Sequence, residues 1–143
     1  MPDLVDASVW LPLSVPDHVH HERALRYWHE EAASSVAFCR VTALALLRLL
    51  SNPRVLGRAA LTGAAAWTAL QRWLALPEIV LVEEPPGLDE LLADWSGELP
   101  LRGGDWTDAY LAAFARAGNY RLVAFDGDFA RYRGVTFLHL AAR

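Results

Sequence analysis

An α/β domain is what this sequence predicts: a central, mostly parallel sheet of four to five strands with helices on both faces. Three observations carry that expectation. Apolar runs and helical stripes alternate from one end of the chain to the other. The apolar runs are continuous rather than period-two, as strands covered on both faces require. Finally, 143 residues, 54% hydrophobic and 21% charged, suffice for one core without disulfide or metal staples. Residues 1–143 are therefore read as a single domain.

The elements follow in order. Residues 2–6 (PDLVD) read as a short buried strand ending in a carboxylate, and Ser8 opens a helical stretch through Val9, Trp10, Leu11 and Leu13. Pro16-Asp17 is placed as the cap of a second helix, with Val19, Ala24, Leu25 and Trp28 near helical spacing. Residues 36–39 (VAFC) form a second strand, and 41–51 (VTALALLRLLS) a buried helix that Asn52-Pro53 ends. Thr62 starts a helix carrying Ala66, Trp67, Leu70, Trp73 and Leu74, and Pro77 stops it before a strand at 79–82 (IVLV). Pro85-Pro86-Gly87 is a turn, 88–95 (LDELLADW) a short amphipathic helix, and 97–104 (GELPLRGG) a loop. Asp105 to Ala117 is strongly amphipathic. Arg121 to Phe125 is the clearest strand and ends at Asp126-Gly127-Asp128, and a last strand lies near 135–140. No repeat, low-complexity segment or interdomain linker interrupts the pattern.

Composition excludes several classes. A lone cysteine, Cys39, makes neither an internal disulfide nor a cysteine zinc site, and as the end of an apolar strand it reads as core. The start, MPDLVDASVWLPL, lacks a basic region and holds Asp3 and Asp6, so it is not a signal peptide. No apolar run approaches the ~18–20 residues that cross a bilayer. A soluble cytoplasmic domain is expected. All 13 basic residues are arginine, which removes every mechanism that needs a lysine, the P-loop and the Schiff base included. Net charge is −4, against broad electrostatic affinity for nucleic acid.

In open α/β sheets, functional groups gather beyond the carboxyl ends of the strands, at the switch point of the topology. Two strands here end in acids, at Asp6 and Asp126. Asp105 and Asp108 stand at the start of a helix just before the second of these, as N-cap and N3 of a capping-box-like turn. Singly, each acid reads as a turn former or helix-dipole complement. Three acids arriving at one sheet edge from distant parts of the chain repel one another unless a cation sits between them. Hard divalent ions such as Mg²⁺ take carboxylate oxygens while keeping several waters. The chemistry implied is phosphodiester hydrolysis.

The ordered segments Leu4-Val5-Asp6-Ala7-Ser8-Val9-Trp10-Leu11, Phe38-Cys39-Arg40-Val41-Thr42 and Leu46 to Pro53 lead on to Trp106 to Ala115 and Leu122 to Phe129. Together they resemble a PIN-domain ribonuclease of the VapC toxin type across essentially the whole chain. The resemblance implies a single PIN-like domain that cuts single-stranded RNA with Mg²⁺ or Mn²⁺ and is held inactive by a small cognate antitoxin. It matches Asp6, Asp108 and Asp126 to the metal-binding and catalytic acids, Asp128 to an accessory acid, and Ser8 to a small polar support. Thr42 is a second supporting hydroxyl. Many such domains carry a glutamate near Ala45 or Leu46, and this chain has none there, so a single ion is the simpler expectation.

Setting Asp6, Asp108, Asp126 and Asp128 aside as metal-neutralised leaves a formal charge of zero. Arg40, Arg102, Arg121 and Arg131 are then candidates for RNA phosphates, Arg40 and Arg102 foremost. Trp106 is either a base-stacking residue or core. His18, His20, His21 and His29 are read as a solvated, partner-facing cluster on the second helix, and Trp28, Trp67 and Trp73 as core or as lining for an antitoxin helix. The apolar helices leave room for a homodimer. Two other readings stand beside the nuclease: a PIN-like binding module with a weakened site, favoured by the missing glutamate, and a phosphoryl-transfer enzyme on the same sheet plan.

Overall fold

A computed structural model describes residues 1–141 of the chain. Each apolar run becomes a strand: β1 (Asp3–Val5), β2 (Val36–Phe38), β3 (Ile79–Leu81), β4 (Arg121–Ala124) and β5 (Thr136–His139). They form one sheet in the order β3-β2-β1-β4-β5, and every pairing is parallel. The register sets Leu4 beside Ala37 on one side and Leu122 on the other. Seven α-helices connect and cover the strands: α1 (Ala7–Ser14), α2 (His21–Arg26), α3 (Arg40–Leu50), α4 (Pro53–Leu56), α5 (Gly63–Leu74), α6 (Leu88–Glu98) and α7 (Asp105–Gly118). No helix among the described residues is long and apolar enough to cross a membrane.

Continuous apolar strands make sense here because alternate side chains enter different cores. Val5, Val36, Phe38 and Val123 pack with Trp10, Leu46, Leu50 and Leu70 from α1, α3 and α5. Leu4, Ala37, Leu122 and Ala124 pack with Trp95, Leu111, Ala112 and Phe114 from α6 and α7. Trp10 is the keystone of the first layer. It is fully buried, stacks on Phe38 with ring centroids 4.0 Å apart, and donates its indole N–H to the Val5 carbonyl at 3.0 Å. Its polar handle is thus satisfied where its bulk is useful. Trp28 and Trp73 close around it, at 6.4 and 5.4 Å.

At the amino ends of the strands Asp3 is completely buried. Arg121 grips it at 2.7 and 3.0 Å, the Tyr27 hydroxyl donates at 2.6 Å and the Ala33 N–H at 3.0 Å. Arg121 also donates to the Glu31 carbonyl at 2.8 Å, in a π turn (Tyr27–Glu31) that follows α2. A buried carboxylate persists only when paired and hydrogen-bonded, and this one is both. Arg121 is therefore not a phosphate ligand. It stands at the end of the sheet opposite Asp126 and is held by Asp3.

Several boundaries differ from expectation. The second helix starts at His21 rather than at Pro16-Asp17, because the intervening segment closes turns of its own: His18 N–H donates to the Val15 carbonyl and His21 N–H to that of His18, both at 3.0 Å. His18 and His20 thus precede α2 and His29 lies in the π turn, so the histidines do not form one helical cluster. Helix α6 runs to Glu98, its last turn anchored by buried Trp95, which shortens the following loop to residues 99–104. Asn52 ends α3 and at once caps α4, accepting the Arg54 N–H at 2.9 Å with Pro53 in the first turn. Trp67 is not core; it is 51% exposed on α5.

Candidate active site

With β1 at the centre and β2 and β4 on either side, the switch point falls between β1 and β4. Their carboxyl ends are where Asp6 and Asp126 emerge. Asp6 extends the ladder by one bond, its N–H donating to the Val123 carbonyl at 2.9 Å, and then caps α1 by accepting the Ser8 N–H at 3.1 Å. Asp126 does the same for the 3₁₀ turn Gly127–Arg131, accepting the Asp128 N–H at 2.9 Å. The turn-former reading of both acids holds, and it does not exhaust them. Each cap takes one carboxylate oxygen, Oδ2 of Asp6 and Oδ1 of Asp126. The other oxygen of Asp126 and both oxygens of Asp108 have no hydrogen-bond partner among the described residues.

Helix α7 delivers Asp108. Its cap is Gly104 rather than Asp105, which lies one residue inside and folds back to accept the Arg102 N–H at 3.0 Å. Arg131 pairs with Asp105 at 3.3 Å and with the Tyr132 hydroxyl at 2.8 Å. The Arg102 N–H and then the Arg131 guanidinium hold Asp105 below the usual carboxylate range. Asp108 behaves in the opposite way. Partial burial, followed by the negative charges of Asp6 and Asp126, pushes its carboxyl up to about 6. Burial also raises Asp6, against the hydrogen bonds from Ser8, and Asp126 adds to the rise. Asp6 and Asp126 are thus close enough to Asp108, and Asp126 to Asp6, to raise the pKa of Asp108 and of Asp6 by charge. Arg131 is the cation that relieves Asp108 most, and its guanidinium is already engaged by Asp105.

Ser8 sits where a support for this arrangement belongs. Its N–H holds Asp6 and its Oγ accepts the Phe125 N–H at 3.1 Å, so it ties the end of β4 to the start of α1. Thr42 does something else. Its hydroxyl accepts the Cys39 N–H and donates to the Cys39 carbonyl, both at 3.0 Å, and so fixes the start of α3. Asp128 is exposed and contributes its N–H to Asp126. Cys39 is buried, as expected of core. Arg40 is exposed at the first residue of α3 and lines a cavity of ≈ 330 Å³ with Glu83, Glu84 and Tyr110. Arg102 is exposed in the loop before α7, and Trp106, 46% exposed, stands two residues from Asp108.

The donor set suits a hard divalent cation: oxygen ligands, uncompensated negative charge and free lone pairs. No group of three His, Cys, Asp or Glu side chains among the described residues stands in common ligating position. Direct contacts from fewer carboxylates, completed by water, are the arrangement these residues fit, as Mg²⁺ prefers. Leu46 is completely buried in the first core, so nothing there replaces the absent glutamate. Sequence reasoning missed Arg131 as the counter-charge of Asp105, because the pair joins residues 26 apart across the 3₁₀ turn. It also missed Asp3 as the buried partner of Arg121.

Known proteins share this plan. The family model described as PIN domain matches residues 4–135. Ribonuclease VapC41 of Mycobacterium tuberculosis is 40% identical over 144 residues, covering 96% of this chain and 98% of that protein. The Sarcin-Ricin loop cleaving toxin VapC20 of Mycobacterium tuberculosis superposes with a TM-score of 0.67 at 25% identity, over 92% of this chain and 97% of that one. VapBC2 from Rickettsia felis, solved bound to a DNA fragment from their promoter, gives a TM-score of 0.69 over 99% and 100% of the two chains. At 13% identity that last likeness is one of fold alone.

Proposed function

The chain belongs to the PIN-domain family, and from that premise we propose that it is a metal-dependent endoribonuclease of single-stranded RNA and the toxin of a toxin–antitoxin pair. The observation that supports this reading is at Asp108, whose carboxyl is pushed up to about 6 by partial burial and then by the negative charges of Asp6 and Asp126. Kinship with a ribonuclease at 40% identity over nearly the whole chain supports the substrate class. A cognate antitoxin is the partner that kinship suggests, and the cytoplasm is the compartment where such a pair meets RNA.

In this account Asp6, Asp108 and Asp126 would hold Mg²⁺ or Mn²⁺, some of them through water, with Asp128 as an accessory at the rim. The ion, when bound, polarises the phosphoryl oxygen and makes an attacking water more acidic. Asp6 and Asp126 are aimed by the caps they form, so their carboxylates are set before substrate arrives. Ser8 keeps the two strand ends in register with each other. Asp108, proton-retaining near pH 6, would ionise fully where a bound cation offset the charges of Asp6 and Asp126. Arg40 and Arg102, both exposed, are the arginines proposed for flanking phosphates.

The test is cleavage of a labelled single-stranded RNA. Mg²⁺ or Mn²⁺ supports cutting, EDTA abolishes it, and Asp6→Asn or Asp108→Asn lowers the rate by about a hundredfold or more. Undiminished cleavage by Asp108→Asn contradicts the proposal. A second reading, a binding module that acts through protein contacts alone, is favoured by the lack of a preformed three-ligand cluster among the described residues. It expects no Mg²⁺ heat in calorimetry and no cutting by the purified chain.

A further inference from the structure

Between α1 and α2 lies a set of rings that the acid cluster does not use. The His20 N–H donates to Nδ1 of His18 at 3.0 Å, which fixes neutral His18 as its Nε2–H tautomer. His20 lies on Phe125, with ring centroids 4.7 Å apart and planes 19° from parallel. His18 follows at 5.6 Å and 42°. All three residues are half-buried, none fully. Phe125 immediately precedes Asp126, and its backbone is clamped on both sides: the N–H by Ser8 Oγ at 3.1 Å, the carbonyl by Nε2 of His139 at 2.9 Å. The column therefore stands on the same short stretch of backbone that sets Asp6 and Asp126.

Its chemistry selects among occupants. The rings of His20 and Phe125 carry no formal hydrogen bond to a side chain among the described residues, and burial together with His20 and His21 pushes His18 below the usual imidazole range. A phosphate asks for charge, whereas this column offers flat, largely apolar faces. Flat π systems take an unstacked nucleobase, which single-stranded RNA presents and a duplex does not. Each ring keeps part of its surface exposed, and Phe125 adjoins Asp126 in the chain.

We propose that the His18–His20–Phe125 column is a nucleobase subsite, stacking one unpaired base beside the scissile phosphate. The inference rests on the RNA-cleaving function proposed above. Binding of a labelled oligoadenylate, and of a ribose-phosphate chain of equal length without bases, is measured by fluorescence anisotropy in the cleavage-silent Asp108→Asn chain. Adding His18→Ala and His20→Ala weakens oligoadenylate binding by roughly 5- to 150-fold, the range of a base–aromatic stack, and changes binding of the base-free chain less than about twofold. His18→Phe with His20→Phe, which keeps the rings and removes their nitrogens, stays within about threefold of the parent on oligoadenylate.

Equal losses on both ligands, or a phenylalanine pair as weak as the alanine pair, overturn the stacking assignment in favour of contact through imidazole nitrogens. An alanine pair that binds like the parent also overturns it. Circular dichroism checks the fold, and if the alanine pair is unfolded, His18→Leu with His20→Leu takes its place with the same deciding outcomes. Collapse of the RNA reading itself looks different: the unmutated chain then neither cuts nor binds oligoadenylate, and the subsite falls with it.

Discussion

At Asp108 the environment and the chemistry pull against each other. Partial burial and two neighbouring carboxylates raise its pKa from 3.8 to about 6. A carboxyl that holds its proton more tightly when folded contributes stability at low pH, and that contribution is lost as pH rises from about 4 through about 6. Asp108→Asn therefore raises the melting temperature of the metal-free chain near neutral pH and leaves it nearly unchanged at pH 4, which thermal unfolding in EDTA reads directly. At the other end of the sheet the sign reverses. Arg121→Met strands the Asp3 carboxylate in the interior, where Asp3 has no exposed surface. Urea unfolding should register a loss of about 3–5 kcal/mol, the usual result of removing one partner of a buried pair. Asp6 and Asp126 were legible in sequence because a strand followed by an acid is a local pattern. Asp3 was not, because the residue that explains it, Arg121, lies 118 positions away.

Among elements, those read from continuous apolar runs came through nearly intact, since burial on both faces leaves them no other place in an α/β plan. Strand β4 (Arg121–Ala124) and helix α3 (Arg40–Leu50) fall within a residue or so of expectation. The segment before α2 did not, because turn hydrogen bonds and a side chain, Nδ1 of His18, took the N–H groups that a helix needed. Thr42 shows one role plainly, hydrogen bonds to Cys39 at the start of α3. Thr42→Val leaves the buried Cys39 N–H without its acceptor and should cost about 1–3 kcal/mol in chemical denaturation. Because the hydroxyl is engaged by Cys39, the same variant should bind Mg²⁺ as the unmutated chain does.

For the whole molecule, the sheet order β3-β2-β1-β4-β5 turns sequence-distant acids into neighbours, and that convergence is what a reader of the sequence must infer rather than see. The order and spacing of motifs supported it. The free oxygens, the ion pair of Arg131 with Asp105 and the rings on Phe125 needed coordinates. If the proposed metal reading holds, Mg²⁺ should raise the melting temperature more above pH 6 than below it, since Asp108 keeps its proton up to about 6 without a cation. The central claim is that these carboxylates share an ion, and calorimetric titration of Mg²⁺ near neutral pH tests it most directly. Heat of binding by the unmutated chain, with affinity weakened about tenfold or more in Asp108→Asn, is the predicted result. Equal affinity in the two proteins, or no heat from either at millimolar Mg²⁺, would contradict it.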